Sequence, residues 1–183
     1  MSVKDEKNAL RRRIKKETEA LPQDYIEKCD RCIKKKLLSL PEYKAADRVF
    51  AYVSVGREVS TRGIIEKALA DGKTVALPVS EAEGIMYFRK ISEADRLTEG
   101  RFGIPEPAAD CPEVCPAPGD LILVPALCCD AEGRRLGHGA GYYDRFLAKN
   151  EGTSLCLCRS KLMPECVPAD EFDIRVNIVL NEN

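Results

Sequence analysis

The chain has 183 residues, of which 44% are hydrophobic and 32% are charged, so we expect one globular domain over residues 1–183. A formal net charge of −1 and a pI near 6.0 argue against a general binder of nucleic acid or of acidic membranes. No stretch approaches the roughly 20 apolar residues that span a bilayer. The charged start MSVKDEKNALRRRIKKE lacks the apolar segment of a secretory signal, so we expect a cytoplasmic protein without a membrane partner.

The N-terminal segment predicts two helices. Leu10, Ile14 and Leu21 recur at helical spacing, which predicts an amphipathic helix over about residues 4–20. Pro22 suits the first turn of a second helix. The apolar face of that second helix consists of Tyr25, Cys29, Ile33, Leu37 and Leu40. The proline directly after this face ends the helix.

The next segments alternate strand and helix. RVFAYVSV (residues 48–55) is an apolar, β-rich run that predicts a buried strand. STRGIIEKALADG predicts a helix, with Ser60 as its N-cap and Gly72 at its C-terminal end. KTVALPV predicts a second strand, and residues 85–91 predict a third. Over residues 103–118 prolines and cysteines are dense and periodicity is lost, which predicts a long surface loop.

The last third begins with DLILVPA (residues 120–126), which predicts a fourth strand. The loop LCCDAEGRRLGHGAG then leads into a predicted helix from Tyr142 to about Lys149, and SLCLC and RVNIVL predict closing strands. Because strands and helices alternate along the chain, the sequence predicts an α/β fold. In this fold a mostly parallel sheet is flanked by helices on both faces, which gives three Rossmann-like layers.

One segment, DAEGRRLGHGAGYYDR (residues 130–145), has the residue types of an anion site. It follows a buried strand and precedes a helix, and open α/β sheets bind ligands beyond the carboxyl ends of their strands. Its glycines let the main chain approach a bulky anion, so that successive N–H groups and a helix N-terminus can donate to phosphate. Arg134 and Arg135 add positive charge, and Asp144 offers oxygen ligands to magnesium. The spacing matches neither the P-loop nor GxGxxG, and a flexible turn with a helix cap is an open alternative.

The string GRRLGHGAGYYDRFL resembles the signature of the 5-formyltetrahydrofolate cyclo-ligase family. Other elements of that family follow in order along essentially the whole chain. KNALR matches its N-terminal element through Lys7, Leu10 and Arg11, and VSVGREVST carries Glu58 after the first strand. FGIPEP matches its mid-chain loop, and DLILVPALCCDAEGRRLG matches the strand that enters the signature. PADEFDI places Asp173 where the family has a second metal-linked aspartate.

This resemblance implies an enzyme that uses ATP and Mg²⁺ to cyclise 5-formyltetrahydrofolate to 5,10-methenyltetrahydrofolate, with release of ADP and phosphate. The formyl oxygen would attack the γ-phosphate, and N10 would close the ring of the phosphorylated imidate. Because this is phosphoryl transfer, positioning and charge neutralisation should dominate. His138 and Ala140 stand where the family varies among glycine, basic and aromatic residues, so they bear on nucleotide affinity more than on the reaction. We expect small-molecule partners only and a monomer.

Residue by residue, the resemblance implies three subsites. For ATP it implies Lys7, Arg11, Arg134, Arg135, Leu136, Gly137, His138, Gly139, Ala140, Gly141, Tyr142 and Tyr143. For the folate it implies Val53, Glu58, Phe102, Gly137, His138, Gly139, Ala140, Gly141 and Tyr142. The metal would be held by Asp144 and Asp173, and the catalytic residues would be Arg135 and Tyr142. The Glu58 carboxylate could accept two N–H bonds from the aminopyrimidine edge of the pterin.

These residues also have structural interpretations. Lys7 and Arg11 could be solvated charges of a charge-rich helix, and Glu58 could be a surface charge. Asp144 could complement a helix N-terminus. Two functional alternatives therefore stay open, namely an ATP-dependent enzyme of the same fold with another substrate and a non-catalytic nucleotide- or metal-binding module.

Nine cysteines, an odd number without an even framework, are expected to be reduced. Cys29 and Cys32 have the CxxC spacing of zinc and dithiol sites. Both fall within the second predicted helix, on or beside its apolar face, where a free cysteine packs as a small hydrophobe. We therefore expect a packing role, with zinc or dithiol chemistry as the alternative.

Overall fold

The computed structural model of the protein describes residues 2–92 and 97–183, and within them the chain forms five α-helices and eleven strands. The helices are α1 (Val3–Ala20), α2 (Gln23–Ser39), α3 (Pro41–Ala45), α4 (Arg62–Ala70) and α5 (Tyr142–Leu147). The strands are β1 (Arg48–Phe50), β2 (Thr74–Ser80), β3 (Met86–Ile91), β4 (Leu97–Glu99), β5 (Pro105–Pro107), β6 (Glu113–Val114), β7 (Leu121–Val124), β8 (Cys128–Cys129), β9 (Arg135–Leu136), β10 (Thr153–Leu157) and β11 (Ile178–Leu180). None of these helices is long and apolar enough to cross a membrane.

Seven strands form the main sheet, in the order β11-β10-β7-β1-β2-β3-β6. The strands from β11 to β2 run parallel, whereas β3 and β6 are added antiparallel at one edge. Val49 of β1 pairs with Val75 of β2 on one side and with Leu121 of β7 on the other. The strand order therefore reverses at β1, and the carboxyl ends of β1 and β7 form the switch point at which such sheets bind ligands.

The two faces of the main sheet carry different apolar clusters, because successive side chains of a strand point to opposite faces. Val49 belongs to the first cluster and Phe50 to the second. The first cluster includes Cys29, Ile33 and Leu37 of α2, Tyr43 of α3, and Ile64, Ile65 and Ala68 of α4. The second includes Phe146 of α5, whose ring centroid lies 4.9 Å from that of Phe88. Helices thus cover both faces, and the predicted three-layer α/β fold is confirmed.

Helix α1 packs on the small hairpin formed by β8 and β9. It begins with a capping box, in which the Asp5 N–H donates to Ser2 Oγ at 3.2 Å and the Asp5 carboxylate accepts from the Ser2 N–H. Leu10 and Ile14 then pack in a third cluster with Leu136 of β9. This contact places the face of α1 that carries the predicted phosphate ligands beside the loop that follows β9.

The structure corrects two boundaries near the first strand. The strand was predicted over residues 48–55, but it ends at Phe50. The Ala51 N–H still donates to the Ala76 carbonyl of β2 at 2.9 Å, and the Tyr52 carbonyl then accepts from the Thr61 hydroxyl at 2.6 Å. Helix α4 begins after Thr61, so the prediction of Ser60 as its N-cap is wrong; the Ser60 N–H donates to Asp30 instead, at 3.3 Å. Pro22 likewise lies at the N-cap of α2 and not within its first turn.

Two predicted loops contain short strands. Residues 103–118 include β5 and β6, and β6 joins the main sheet through the pairs Phe88–Val114 and Arg89–Glu113. A two-residue strand shows no periodicity, so the sequence could not reveal it. The loop that was predicted between residues 127 and 141 contains β8 and β9, which pair at Cys128–Leu136 and Cys129–Arg135. This hairpin places the glycine-rich segment at the carboxyl edge of the sheet.

Candidate active site

A cleft of about 170 Å³ lies at the carboxyl ends of β1, β7 and β10. It is lined by Thr18, Val55, Arg57, Glu58, Val59, Ala126, Leu127, His138, Leu157, Cys158, Arg159 and Leu162. A second cavity of about 340 Å³ adjoins it and shares Arg57 and Glu58. Apolar walls with a few polar groups are typical of small-molecule sites, and the switch point is where the fold predicts one.

The glycine-rich loop (residues 137–141) leads from β9 into α5 and is held on one side by α1. Gly139 and Gly141 have φ values of +101° and +70°, in the left-handed region that favours glycine. The Arg11 Nε donates to the Gly137 carbonyl at 2.9 Å. A Cβ atom at Gly139 would lie 3.3 Å from the Arg11 guanidinium, so glycine permits this close approach. Arg11 of α1 therefore packs against the glycine-rich loop and holds it by this hydrogen bond.

The other side of the loop is held by the turn between β2 and β3. The Arg145 Nη2 donates to the Ala140 carbonyl at 2.6 Å, and its Nε donates to the Gly84 carbonyl at 3.1 Å. The Tyr142 hydroxyl donates to the Glu81 carbonyl at 2.8 Å. The loop is thus fixed between α1 and this turn, which is the preorganisation that an anion cradle requires.

Phe102 reaches the site from the predicted mid-chain loop. Its ring lies edge-to-face against that of Tyr142, with centroids 6.3 Å apart, and it is 67% exposed. Its φ of +64° is unusual for a residue other than glycine. A strained, exposed aromatic residue beside a ligand loop has the features of a functional contact.

Arg135 and Asp144 form a largely buried ion pair at the start of α5. The Arg135 Nη2 donates to Asp144 Oδ1 at 2.9 Å, and the side chain of Arg135 is 4% exposed. The same oxygen accepts the main-chain N–H of Ile174 at 3.1 Å. The structure therefore brings Asp144 together with the segment that carries Asp173.

Lys7 connects α1 to that segment. Its Nζ donates to Asp170 Oδ2 at 2.6 Å and to Asp173 Oδ2 at 2.5 Å. Burial alone would lower the pKa of Lys7, but the two carboxylate hydrogen bonds outweigh it, and the pKa is raised. The hydrogen bond from Lys7 in turn lowers the pKa of Asp170. A predicted ATP ligand and a predicted metal ligand are thus paired with each other.

Glu58 lies on the wall of the cleft that faces the glycine-rich loop. Its Oε2 accepts the Val55 N–H at 2.9 Å, and its Oε1 lies 3.7 Å from the His138 Nε2. The side chains of Glu58 and His138 are 18% and 70% exposed. Val53, also predicted to contact the folate, is partly buried against the first apolar cluster.

Some predicted ATP ligands direct their side chains into the fold. The Arg134 Nε donates to Asp130 Oδ2 at 2.6 Å, and its Nη1 lies 2.9 Å from Glu132 Oε2. Leu136 is buried in the third cluster. The Tyr143 hydroxyl is buried and has no hydrogen-bond partner within the described part of the chain, and burial raises its pKa. Contacts from Leu136 to a nucleotide would therefore come from the main chain.

The carboxylates near Lys7 suit a magnesium ion that is shared with a phosphate ligand. Among residues 2–92 and 97–183, no group of three His, Cys, Asp or Glu side chains could hold a metal by itself. Mg²⁺ is usually held by only one or two carboxylates, with water and substrate phosphates completing its shell. Asp144, Asp170 and Asp173 supply such oxygens, and the Ile174–Asp144 hydrogen bond joins their segments. The donor set fits a metal that binds together with a nucleotide.

Two charged residues of the site, Asp170 and Arg159, are not among the residues that the sequence predicts. Asp170 lies three residues before Asp173 in PADEFD and shares Lys7 with it, a spacing that could have indicated a turn with two carboxylates. Arg159 directly follows the apolar run SLCLC and is only 2% exposed. A charge at the carboxyl end of a buried strand could have indicated a buried ion pair near the ligand edge.

The fold and this site define an α/β protein with a glycine-rich loop held beside a cleft at the switch point of its sheet. The sequence profile described as the 5-formyltetrahydrofolate cyclo-ligase family matches residues 3–182. The chain belongs to this family of ligases.

Relatives and solved structures agree with this membership. A 5-formyltetrahydrofolate cyclo-ligase of Mycolicibacterium smegmatis is 36% identical over 143 residues, which is 72% of this chain and 72% of the relative. The 5,10-methenyltetrahydrofolate synthetase of Aquifex aeolicus has a TM-score of 0.82 at 31% identity, over 96% of this chain and 89% of that one. A synthetase of the same name from Mycoplasma pneumoniae has a TM-score of 0.74 at 20% identity, over 97% and 99% of the two chains, and shares the fold.

Proposed function

We propose that the protein cyclises 5-formyltetrahydrofolate to 5,10-methenyltetrahydrofolate at the expense of ATP, which becomes ADP and phosphate. The observation that supports this proposal is that two basic residues of α1 contact the glycine-rich loop and the segment that carries Asp170 and Asp173. Arg11 contacts Gly137, and Lys7 contacts Asp170 and Asp173. Cations, main-chain donors and carboxylates beside one loop are the parts that phosphoryl transfer requires.

In the first step the formyl oxygen attacks the γ-phosphorus atom. The bond between that phosphorus and the bridging oxygen breaks, and ADP leaves with the electron pair. The groups that would hold the triphosphate are Lys7, Arg11 and the main chain of the glycine-rich loop, with Arg135 at its base. Their charges would neutralise the transferred phosphoryl group, which is the main source of acceleration for such chemistry.

In the second step N10 attacks the carbon of the phosphorylated imidate. The carbon–oxygen bond then breaks, phosphate leaves with the former formyl oxygen and the electron pair, and the proton that N10 loses passes to the departing phosphate. The Glu58 carboxylate would hold the pterin edge, because its Oε1 is not used by the Val55 N–H. Phe102 and Tyr142 would cover the ring system.

Asp144 and Asp173 would hold Mg²⁺ in this proposal, and Asp170 lies close enough to Lys7 to take part. When bound, the ion would supply charge neutralisation at the phosphates. The protein's own contribution is to keep both carboxylates next to cations until the nucleotide arrives. Arg135 does this for Asp144, and Lys7 does it for Asp173.

The proposal also includes a cytoplasmic monomer. All nine cysteines are free thiols, which suits a reducing compartment. The large hydrophobic side chains that are exposed among the described residues are Val3, Val55, Ile85, Phe102 and Phe172. Val55 and Phe102 belong to the proposed site, so their exposure is consistent with ligand binding and does not require a second subunit.

The test is an assay of purified protein with 5-formyltetrahydrofolate, ATP and Mg²⁺, followed at the ultraviolet band of the methenyl product. We expect product only when all three components are present, with one ADP formed per product. Omission of ATP and addition of a chelator are the matched controls. Equal product without ATP, or ADP formation without product, would exclude the proposed reaction.

A further inference from the structure

Arg159 lies at the carboxyl end of β10, two residues after Leu157, on the wall of the cleft. Its side chain is 1% exposed, so a full positive charge is buried beside the proposed folate site. A buried charge is costly unless it is paired and hydrogen-bonded. The partners of Arg159 therefore indicate its role.

The Arg159 guanidinium binds the loop between β1 and α4. Its Nη1 donates to the Arg57 carbonyl at 2.8 Å, and its Nη2 donates to the Glu58 carbonyl at 3.0 Å. Nη2 also pairs with Asp30 Oδ1 of α2 at 2.6 Å. The other oxygen of Asp30 accepts the Ser60 N–H at 3.3 Å. One ion pair thus holds three main-chain positions around Glu58.

The direction of the Glu58 carboxylate depends on this main chain. Glu58 donates its N–H to the Val55 carbonyl at 3.1 Å and accepts the Val55 N–H on Oε2 at 2.9 Å, so residues 55–58 form a closed turn. The Arg57 side chain ties this turn to the carbonyls of Thr18 and Leu21, and Arg159 ties its main chain to the carboxyl end of β10. If the carbonyls of residues 57 and 58 shifted, Glu58 Oε1 would move relative to His138 and the cleft.

We infer that Arg159 is a positioning residue for folate recognition, which aims the Glu58 carboxylate at the N–H groups of the pterin edge. This inference rests on the proposed function. A guanidinium suits the task because it presents several donors in one rigid plane and can bridge two carbonyls and a carboxylate at once. A lysine at this position keeps the charge, but its donors all lie on one nitrogen, so it cannot span acceptors that the guanidinium binds from two separate nitrogens.

A matched ion pair lies at the other end of the same sheet. The Arg48 Nε donates to Asp120 Oδ1 at 2.9 Å, and Asp120 is 5% exposed. Arg48 is the first residue of β1, and Asp120 immediately precedes β7, so this pair lies at the amino ends of strands whose carboxyl ends form the cleft. It provides an Arg–Asp pair of similar type whose further hydrogen bonds go to Cys115 and Ala117, which do not line the cleft.

The experiment compares steady-state kinetics of Arg159→Lys, Arg48→Lys and the wild type, with each substrate varied separately. For Arg159→Lys we expect the KM for 5-formyltetrahydrofolate to rise about tenfold or more, because a charge-assisted contact is misaligned. The KM for ATP should stay within about twofold, and Arg48→Lys should leave both values within about twofold. Equal rises in both KM values for Arg159→Lys, or no rise, would overturn the inference.

A double-mutant cycle with Glu58→Gln decides whether Arg159 acts through Glu58. If it does, adding Arg159→Lys to Glu58→Gln should raise the folate KM by less than about threefold, whereas independent action would give the full effect again. Asp30→Asn, which keeps its size but loses the charge that holds Arg159, should repeat the selective rise and serves if Arg159→Lys does not fold. Absence of any turnover by the wild type would contradict the proposed function, whereas a folate effect of Glu58→Gln without one of Arg159→Lys contradicts this inference alone.

Discussion

Lys7 Nζ lies 2.5 Å from Asp173 Oδ2, so a residue expected to bind ATP and a residue expected to bind Mg²⁺ neutralise each other. Asp170 is the second acceptor of the same ammonium, at 2.6 Å. We expect Lys7 to turn to phosphate oxygens when a nucleotide binds, which would release the two carboxylates toward the metal. The cluster therefore keeps opposite charges of the site in place before the ligands enter.

Replacement of the proposed metal ligands should weaken magnesium use. Asp144→Asn keeps the size of the side chain and removes its charge, so we expect activity at a fixed low Mg²⁺ concentration to fall about ten- to a hundredfold. Asp173→Asn should act in the same direction. The measurement is the rate as a function of Mg²⁺ concentration, with Glu66→Gln as the control, because Glu66 is 51% exposed and pairs with Arg62 on α4, outside the predicted site. Unchanged magnesium dependence in both variants would remove the two aspartates from the metal site.

Substitutions on the basic face of α1 and in the loop after β1 should raise the KM values of different substrates. Lys7→Ala and Arg11→Ala should raise the KM for ATP by about ten- to a hundredfold, because each removes a charge-assisted contact to phosphate. Glu58→Gln should raise the KM for the folate instead. Arg12→Ala, on the exposed side of the same helix, is the control. The reverse pattern of KM changes would contradict this division of the site.

Much of this arrangement could be predicted from the sequence, because the buried strands and the amphipathic helices have strong local patterns. The spacing of Leu10 and Ile14 predicts the helix that carries Lys7, and the apolar run of β7 predicts the strand before the glycine-rich loop. The specific residue types of that loop, in addition, resemble one family closely enough to indicate the chemistry. Fold class and family can therefore be predicted from the sequence.

The pairings within the site could not be predicted, because they depend on distant segments meeting in space. Lys7 and Asp173 are 166 positions apart, and the local sequence around each residue does not indicate that the other is its partner. Arg159 meets Asp30 across 129 positions, and a single charge after an apolar run does not reveal its partner. The short strand β6 could not be predicted for a different reason. It has only two paired residues at the edge of the sheet, and two residues show no periodicity.

The pairing of Asp170 with Lys7 should make part of the stability depend on pH. The pKa of Asp170 is lowered from its ordinary value of 3.8 by the hydrogen bond from Lys7. A carboxylate whose folded pKa is lowered stabilises the fold above its unfolded pKa, and this contribution is lost as pH falls through the folded pKa. We expect Asp170→Asn to be less stable than the wild type by a constant amount between about pH 5 and 7, with the difference shrinking below the ordinary value. Urea unfolding across pH measures it, and a difference that persists undiminished at the acid end would contradict the assignment.

His138 should contribute a contact rather than transfer a proton. Its side chain is 70% exposed and lies 3.7 Å from Glu58. The attacking formyl oxygen carries no proton that a base could remove, and the proton that N10 loses in the second step can pass to the departing phosphate. His138→Gly should therefore keep substantial maximal activity, with a modest rise in the ATP concentration needed. His138→Asp should be much worse, because it places a negative charge beside the triphosphate. A loss of about a thousandfold in His138→Gly at saturating ATP, together with a changed pH dependence of the maximal rate, would instead establish an acid–base role.

The most direct test of the central claim follows the formyl oxygen itself. The proposed reaction transfers this atom to phosphorus and then releases it by carbon–oxygen cleavage. With 5-formyltetrahydrofolate labelled with heavy oxygen in the formyl group, we predict one labelled oxygen in each phosphate released and none in ADP, in equal amount to the methenyl product. Methenyl product accompanied by unlabelled phosphate would contradict direct attack on the γ-phosphate and the function proposed for this site.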